Sequence, residues 1–556
     1  VVKVSNLLAI LCRITDTIAI FTFRQVFKTG CTKMAAFPSI FNDVIGPAMR
    51  GPSSSHCAGA LRIGRICRDL MDGKISQVRV FMDPGGSLAT THESQGSDMG
   101  LMGGLLGWDA TDERLSVVAD YLSEKGLQVT FEIRDLGASH PNTYGLVLEG
   151  PTGPCHLTAL STGGGMIEIT EIDGRNLSMK GDCHETLIYC GHPDPVHPIL
   201  KAKMDFDEIL LHPGRETILE VKSATAPSRE FLEDVKQMDG VRLIRSARPV
   251  LPVLSRKGTS VPFLSAGEMT DYNREKDLTL WELGARYESL RADIPEAAVY
   301  AKMEVLAGYM EEAVQAGLQG TSYEDRILGS QSPAFQEKLE KGQLIGGDLS
   351  NRIILYTTAV MEVKSAMGLI VAAPTAGACG TLPGAILATA DSLDLSRDQV
   401  VKALLAAGMV GIFIARHATF AAESGGCQAE CGAASGMAAA ALVSMAGGST
   451  VQALAASSLA LQNSLGMICD PIANRVEAPC LGKNVMAAMN ALSCANMALA
   501  GYEQLIPLDE VIQTMNEVGA SLPATLRCTA LGGLSMTPAA RKIEQALKDK
   551  IKNTKP

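Results

Sequence analysis

The chain has 556 residues, and 60 acidic against 49 basic side chains leave a formal charge of −11 with every histidine neutral. That balance excludes a basic nucleic-acid footprint, and an apolar share of 46% excludes a disordered or collagen-like chain. Fourteen cysteines are too sparse for a disulfide scaffold, so a reducing, cytoplasmic setting is expected.

At about 150 residues per domain, the length predicts three to four units. Residues 1–35 stand apart. Lys3, Arg13, Arg24, Lys28 and Lys33 flank short apolar stretches with Asp16 as the sole acid. Those stretches fall short of the ~20 residues of a membrane-spanning helix. They read as an organelle transit segment or as an artefactual extension ahead of a true start at Met34.

Residues 36–185 read as an α/β domain. The runs Val78–Val80, Val129–Ile133 and Ile167–Ile172 are rich in β-branched residues, and Cys57–Met71 has helical apolar spacing behind a serine-rich start that could cap it. Residues 186–255 give strand, helix and strand at Thr217–Val221, Ser228–Met238 and Val241–Ile244, a small regulatory α/β module or an elaborated connection.

From 256 to 549 the pattern is helical. Helices are predicted at Leu278–Leu290, Glu296–Gly317, Ser350–Met367, Arg397–Ile414, Gly436–Met445, Val451–Leu465, Asn484–Ala500 and Leu508–Glu517, and Arg541–Lys552 reads as a solvated terminal helix. The long uncharged stretch Cys431–Cys469 is explained by two buried helices broken at Gly447-Gly448-Ser449, with no membrane involved. The expected fold class is therefore multidomain α+β, with an N-terminal α/β domain, a small α/β segment and a C-terminal all-helical domain.

Three cysteines sit where a loop can wrap an inorganic core: Cys427 after Gly425-Gly426, Cys469 opening Cys-Asp-Pro, and Cys480 after Pro479. Thiolates on such turns suit an iron-sulfur cluster. Spacing alone leaves that open, because no Cys-x-x-Cys pair is present and buried free cysteine is common in apolar helices. His56, behind Gly51-Pro-Ser-Ser-Ser, is either a satisfied histidine near a helix start or a base beside a carboxylate cradle. The loop Pro374-Thr-Ala-Gly377 is either a turn or a second cradle.

These segments form a wider frame. Gly51-Pro-Ser-Ser-Ser-His56, Gly86-Ser-Leu-Ala89, His140-Pro-Asn-Thr143, Gly163-Gly-Gly165, Ala373-Pro-Thr-Ala-Gly377, Gly425-Gly-Cys-Gln-Ala-Glu430, Cys469-Asp-Pro471 and Pro479-Cys480 occur in an order that resembles the iron-sulfur-dependent L-serine dehydratases (L-serine ammonia-lyases), from Phe37 to about Glu544. The chain looks like a single-chain form with the family's β part fused to its α part, and 186–255 is loosely similar to an ACT-type ligand-binding module. The resemblance implies a four-iron, four-sulfur cluster held by Cys427, Cys469 and Cys480, with one iron open to substrate. It implies His56 as the base, Ser53, Ser54, Ser55, Thr375 and Gly377 around the substrate, and a homodimer. The implied reaction turns L-serine into pyruvate and ammonia, a carbon–nitrogen lyase step of amino-acid catabolism and gluconeogenesis. The same cluster chemistry on L-cysteine or L-threonine, and a non-catalytic iron-sulfur sensor, are the alternatives. A pyridoxal-phosphate lyase would need a Schiff-base lysine, for which Lys364 is the sole candidate, and no phosphate cradle adjoins it.

The chain departs from the family at Cys57, where threonine is usual, at Cys379 in a loop of small residues, and at Arg416-His417, where asparagine is common. Cys431, four residues after Cys427, would share a helix face with it. No cysteine follows Cys528, so capping of the open iron by a terminal cysteine is not expected.

Overall fold

The computed structural model describes residues 37–323 and 326–554, and the extension expected at 1–35 lies outside them. The fold is mixed α+β, with sheets in the first half of the chain and a helical second half.

The opening segment belongs spatially to the helical half. The Ser39 hydroxyl caps the turn Ile40–Val44 by accepting from the N–H groups of Phe41 and Asn42, while Glu288 accepts from the Ser39 hydroxyl and the Ile40 N–H. Ile40 and Val44 then lie against Gly408 and Gly411 of helix Arg397–His417. A Cβ at those glycines would come within 2.8 and 2.0 Å of the two side chains. Residues Ala48–Met49 continue the attachment by pairing antiparallel with Ile370–Val371.

The chain next builds a six-stranded sheet in the order Gln128–Ile133, Gln77–Met82, Thr143–Glu149, Cys155–Gly163, Met166–Ile172, Arg175–Met179. Only the first pair is parallel. Alternating burial along Cys155–Gly163 shows the two-residue period of a strand with one wet face. Helices Gly59–Leu70 and Ser97–Leu105 approach each other through Gly64 and Gly104, where a Cβ would sit 2.4 and 2.0 Å from the carbonyl oxygens of Leu101 and Leu61.

The second sheet has the order Val241–Ala247, His184–Cys190, Thr217–Ser223, Glu208–His212, antiparallel throughout. With helices Val196–Lys203 and Arg229–Lys236 it forms a complete βαββαβ unit. The sequence reading saw only its second half. Its first strand, His184–Cys190, starts two residues ahead of the expected boundary at 186.

In the helical half, Ala433–Met445 is enclosed by Arg397–His417, Thr450–Gln462 and Cys480–Leu499, and its small side chains permit that enclosure. Among the described residues one helix, Arg397–His417, is long and apolar enough to cross a membrane, and 78% of its most apolar window is buried inside the fold. Helix Thr381–Leu393 was not anticipated, because Pro383 and Gly384 disguise it. The proline falls in the first turn, where its missing N–H is tolerated, and Gly384 lets the helix approach Thr357 closely.

Candidate active site

Loops of the helical half bring buried thiols together. Cys427 precedes the wide turn Gln428–Gly432, and Cys480 opens helix Cys480–Leu499. Cys469 lies on an isolated parallel bridge to Arg527, with its N–H on the Leu526 carbonyl and its carbonyl accepting the Cys528 N–H. The Cys427 and Cys469 sulfurs and a Glu430 carboxylate oxygen all fall within 4.8 Å of one another. Cys480 is not one of that group of three but is near enough to feel it: burial raises its thiol's pKa first, Cys427 and Glu430 add to the rise, and Lys364 and Lys483 oppose it. For Cys469 the contacts with Cys427 and Cys528 come first, followed by burial, and all act upward.

The walls are polar and fully committed. The Thr375 hydroxyl donates to Glu430 Oε1 at 2.6 Å, and a Cβ on Gly377 would meet the same oxygen at 2.7 Å. Burial drives the Glu430 carboxyl up to about 7. Asn484 ties the loop to the Cys480 helix: its amide donates to the carbonyls of Gly377 and Cys480, and its oxygen accepts from the N–H groups of Gly380 and Thr381. The Lys483 ammonium donates to Ile468 O at 2.6 Å and Asp470 Oδ1 at 2.7 Å and reaches Cys427 Sγ at 3.8 Å. Burial opposes that charge, but Cys427 and Asp470 outweigh it and hold the ammonium's pKa up.

The α/β half contributes the remaining groups. Ser53 caps the turn Ser54–Ala58 by accepting the His56 N–H, and its hydroxyl lies 3.0 Å from His56 Nδ1. His56 is wholly buried, with Nε2 2.9 Å from the Thr91 hydroxyl and Nδ1 3.8 Å from Glu423 Oε1. Glu423 comes from the helical half, four residues before Cys427, and also accepts from the Asn142 amide at 3.4 Å. Burial lowers the His56 pKa, Glu423 opposes the fall, and His92 reinforces it. Ser54 Oγ accepts the Ala376 N–H at 3.1 Å, joining the serine run to the Pro374–Gly377 loop. Ser55 is held through its carbonyl, which accepts the Ser161 hydroxyl at 2.6 Å. Nine residues singled out by the sequence, Ser53, Ser54, Ser55, His56, Thr375, Gly377, Cys427, Cys469 and Cys480, thus line one junction between the halves.

The segment 275–535 matches the family model for the serine dehydratase alpha chain. The probable L-serine dehydratase alpha chain of Bacillus subtilis is 38% identical over 285 residues, covering 51% of this chain and 95% of that protein. The alpha chain of Peptoniphilus asaccharolyticus L-serine dehydratase is 37% identical over 282 residues, covering 50% of this chain and 97% of its own. The L-serine dehydratase of Helicobacter pylori is 27% identical over 500 residues, or 88% of this chain and 96% of that protein. The chain belongs to the L-serine dehydratase family.

The alpha-chain match contains the thiols, Glu423, Glu430 and Thr375, whereas His56 lies outside it. Several site residues escaped sequence reasoning. Glu430 closes the motif Gly425-Gly-Cys-Gln-Ala-Glu430 and Glu423 stands two residues ahead of it; two acids in an otherwise small and apolar run were the available signal. Cys528 had none, since only the bridge to Cys469 brings it in. Thr91 and Asn484 act through hydrogen bonds that no spacing displays.

Other residues weighed from the sequence are placed elsewhere or differently. Cys57 donates to the Arg50 carbonyl and Cys379 lies 3.8 Å from Met361 Sδ. Cys431 is at the edge of the thiol group, with Asn484 Nδ2 3.6 Å from its sulfur. Lys364 is completely buried and donates to the Val476 carbonyl. His417 contacts the Leu264 carbonyl at the C-terminal end of its helix.

Proposed function

We propose that this chain is an L-serine ammonia-lyase that converts L-serine into pyruvate and ammonia, with a four-iron, four-sulfur cluster held by Cys427, Cys469 and Cys480. The observation that carries this reading is the convergence of buried thiols and a buried imidazole on one junction of the two halves. The donor set suits the group: the thiols are soft ligands on turns, and Lys483 beside Cys427 offsets thiolate charge. When bound, the cluster supplies a Lewis acid for the departing hydroxyl.

The chain's own residues supply the rest of a β-elimination. His56 is neutral at physiological pH because burial keeps its pKa low, so its ring can take the Cα proton, and Glu423 at 3.8 Å stabilises the imidazolium that results. The Ser53 hydroxyl orients the ring. Thr375 and Gly377 flank the substrate carboxylate, with Thr375 exchanging its bond to Glu430 for one to substrate, and burial of the whole junction excludes bulk water. Loss of hydroxide leaves aminoacrylate, which tautomerises to an imine and hydrolyses in water.

Anaerobic purification with iron and sulfide analysis, followed by pyruvate assay on L-serine before and after air exposure, tests the reading. Four irons and four sulfides per chain, with activity lost in air alongside cluster absorbance, is the expected result. Full activity in an iron-free chain would overturn it.

A further inference from the structure

The two ring nitrogens of His56 meet different partners, and the partners decide which nitrogen carries the proton. Nε2 lies 2.9 Å from the Thr91 hydroxyl oxygen. That hydroxyl has already spent its hydrogen: Thr91 Oγ1 donates to the Ser87 carbonyl, one turn back, at 2.7 Å. A carbonyl cannot return a proton, so Thr91 can only accept from the ring. At the other edge Nδ1 meets the Ser53 hydroxyl, whose oxygen accepts the His56 main-chain N–H at 3.4 Å and whose hydrogen is free to point at Nδ1. Glu423 favours an N–H on Nδ1, but at 3.8 Å it stands beyond hydrogen-bond distance and is outweighed by the 2.9 Å contact in which Thr91 can only accept. The Nε2 edge therefore decides for a neutral ring with its hydrogen on Nε2.

We propose that Thr91 is a positioning residue that holds His56 in the Nε2–H tautomer, so that Nδ1, on the side of Ser53 and Glu423, is the nitrogen that receives the substrate's α-proton. This rests on the reading that His56 is the base and specifies which atom does the work. The bonds balance: the Cα–H pair moves to form the new double bond as the Cβ–O bond breaks, and the proton bonds to the Nδ1 lone pair as the Ser53 hydroxyl rotates its hydrogen away from it. The resulting imidazolium keeps Nε2–H on Thr91 and gains Nδ1–H facing Glu423. Thr91 is 1% exposed, so no water stands in for it once its hydroxyl is removed. The other charged group facing the ring is His92, itself paired with Asp98.

The test uses the full chain, purified anaerobically with ring-15N-labelled histidine. The chain has nine histidines, so the His56 signal is assigned by its disappearance in His56→Asn. The wild type is expected to show a neutral Nε2–H ring at position 56. Thr91→Val, of the same shape but unable to accept, is expected to lose that signature and to lower kcat by on the order of a hundredfold with KM within about twofold. Thr91→Ser, which keeps the acceptor, is expected to restore the Nε2–H signal and to recover turnover relative to Thr91→Val. Thermal unfolding of each variant separates misfolding from mispositioning, because the nitrogen shifts are read only from folded protein. A wild-type ring protonated on Nδ1, or a Thr91→Val chain with the tautomer and kcat unchanged, would overturn the proposal. A wild type with the Nε2–H ring that yields no pyruvate from L-serine would sink the ammonia-lyase reading while supporting the tautomer assignment.

Discussion

The hydroxyl of Ser54 accepts the main-chain N–H of Ala376 at 3.1 Å across 322 residues of sequence. Both residues are buried, and the bond runs between the segment that carries His56 and the loop that faces the thiols. Ser54→Ala would leave the Ala376 N–H without a partner in a dry junction. A loss of about 1–3 kcal/mol in urea unfolding is expected, together with reduced kcat. Unchanged stability would mean that the junction relaxes to find another acceptor.

Ligand assignment can be read directly in metal content. Cys427→Ser, Cys469→Ser and Cys480→Ser are each expected to abolish stoichiometric iron and sulfide in anaerobic preparations. Cys379→Ser and Cys494→Ser are the controls. Their sulfurs contact Met361 and Asn490 and are not part of the group formed by Cys427, Glu430 and Cys469, so both variants should keep full iron. His56→Ala should keep the iron as well and lose turnover.

The pH dependence follows from His56. Burial lowers its pKa below the ordinary 6.5, with Glu423 opposing and His92 reinforcing. The base must be neutral, so the acid limb of kcat/KM is expected below pH 6.5, and Glu423→Gln should move it lower still by removing the charge that raises the pKa. Linkage has the same sign. In the unfolded chain the ring titrates near 6.5 and in the folded chain only below that, so on acidification the unfolded state binds the proton first. The contribution to stability is intact above the unfolded value and lost as pH falls from there through the folded value. Urea midpoints measured from about pH 7.5 down to about pH 5 should drop more steeply in the wild type than in His56→Gln.

Gly377 tests how tightly the wall is packed. A Cβ there would stand 2.7 Å from Glu430 Oε1, the oxygen that holds the Thr375 hydroxyl, and the half-buried Glu430 lies against the thiols of Cys427 and Cys469. Gly377→Ala must therefore displace that carboxylate from Thr375. A cost of about 1–3 kcal/mol is expected, as for other overpacked sites. Loss of activity should accompany it, and a crystal structure of the variant should show the Thr375–Glu430 bond broken.

Much of this architecture was legible because helices and strands differ in period. The buried helices announced themselves as apolar on nearly every side, and Arg397–His417 and Glu296–Leu318 fall within a few residues of expectation. The strand at His184–Cys190 was hidden because it is buried along almost its whole length and shows no alternation. The site was legible through its motifs and illegible in its hydrogen bonds. Ser53 and His56 sit three residues apart and could be paired on paper. Thr91 and Glu423 reach the same ring from 35 and 367 residues away, and nothing but the fold brings them there.

The pair Lys483–Asp470 offers a last measurement of how the thiol loops are held. Asp470 is 3% exposed; one oxygen accepts from Lys483 and the other from the Leu534 N–H, so the carboxylate bridges the Cys469 loop to the segment after Cys528. Lys483→Met would strand that carboxylate in the interior, and breaking a buried pair in this way costs about 3–5 kcal/mol. It would also strip Cys427 of the cation 3.8 Å from its sulfur, so iron should be released faster to a chelator. Asp470→Asn removes the stranded charge while keeping an acceptor for Leu534. In the double variant part of the lost stability should return, giving a coupling of about 1–3 kcal/mol in a double-mutant cycle, while rapid iron release persists because Cys427 still lacks its cation. Strictly additive costs would show that the two side chains do not act as a pair, and iron release slowed to the wild-type rate would show that the lysine acts on the carboxylate alone.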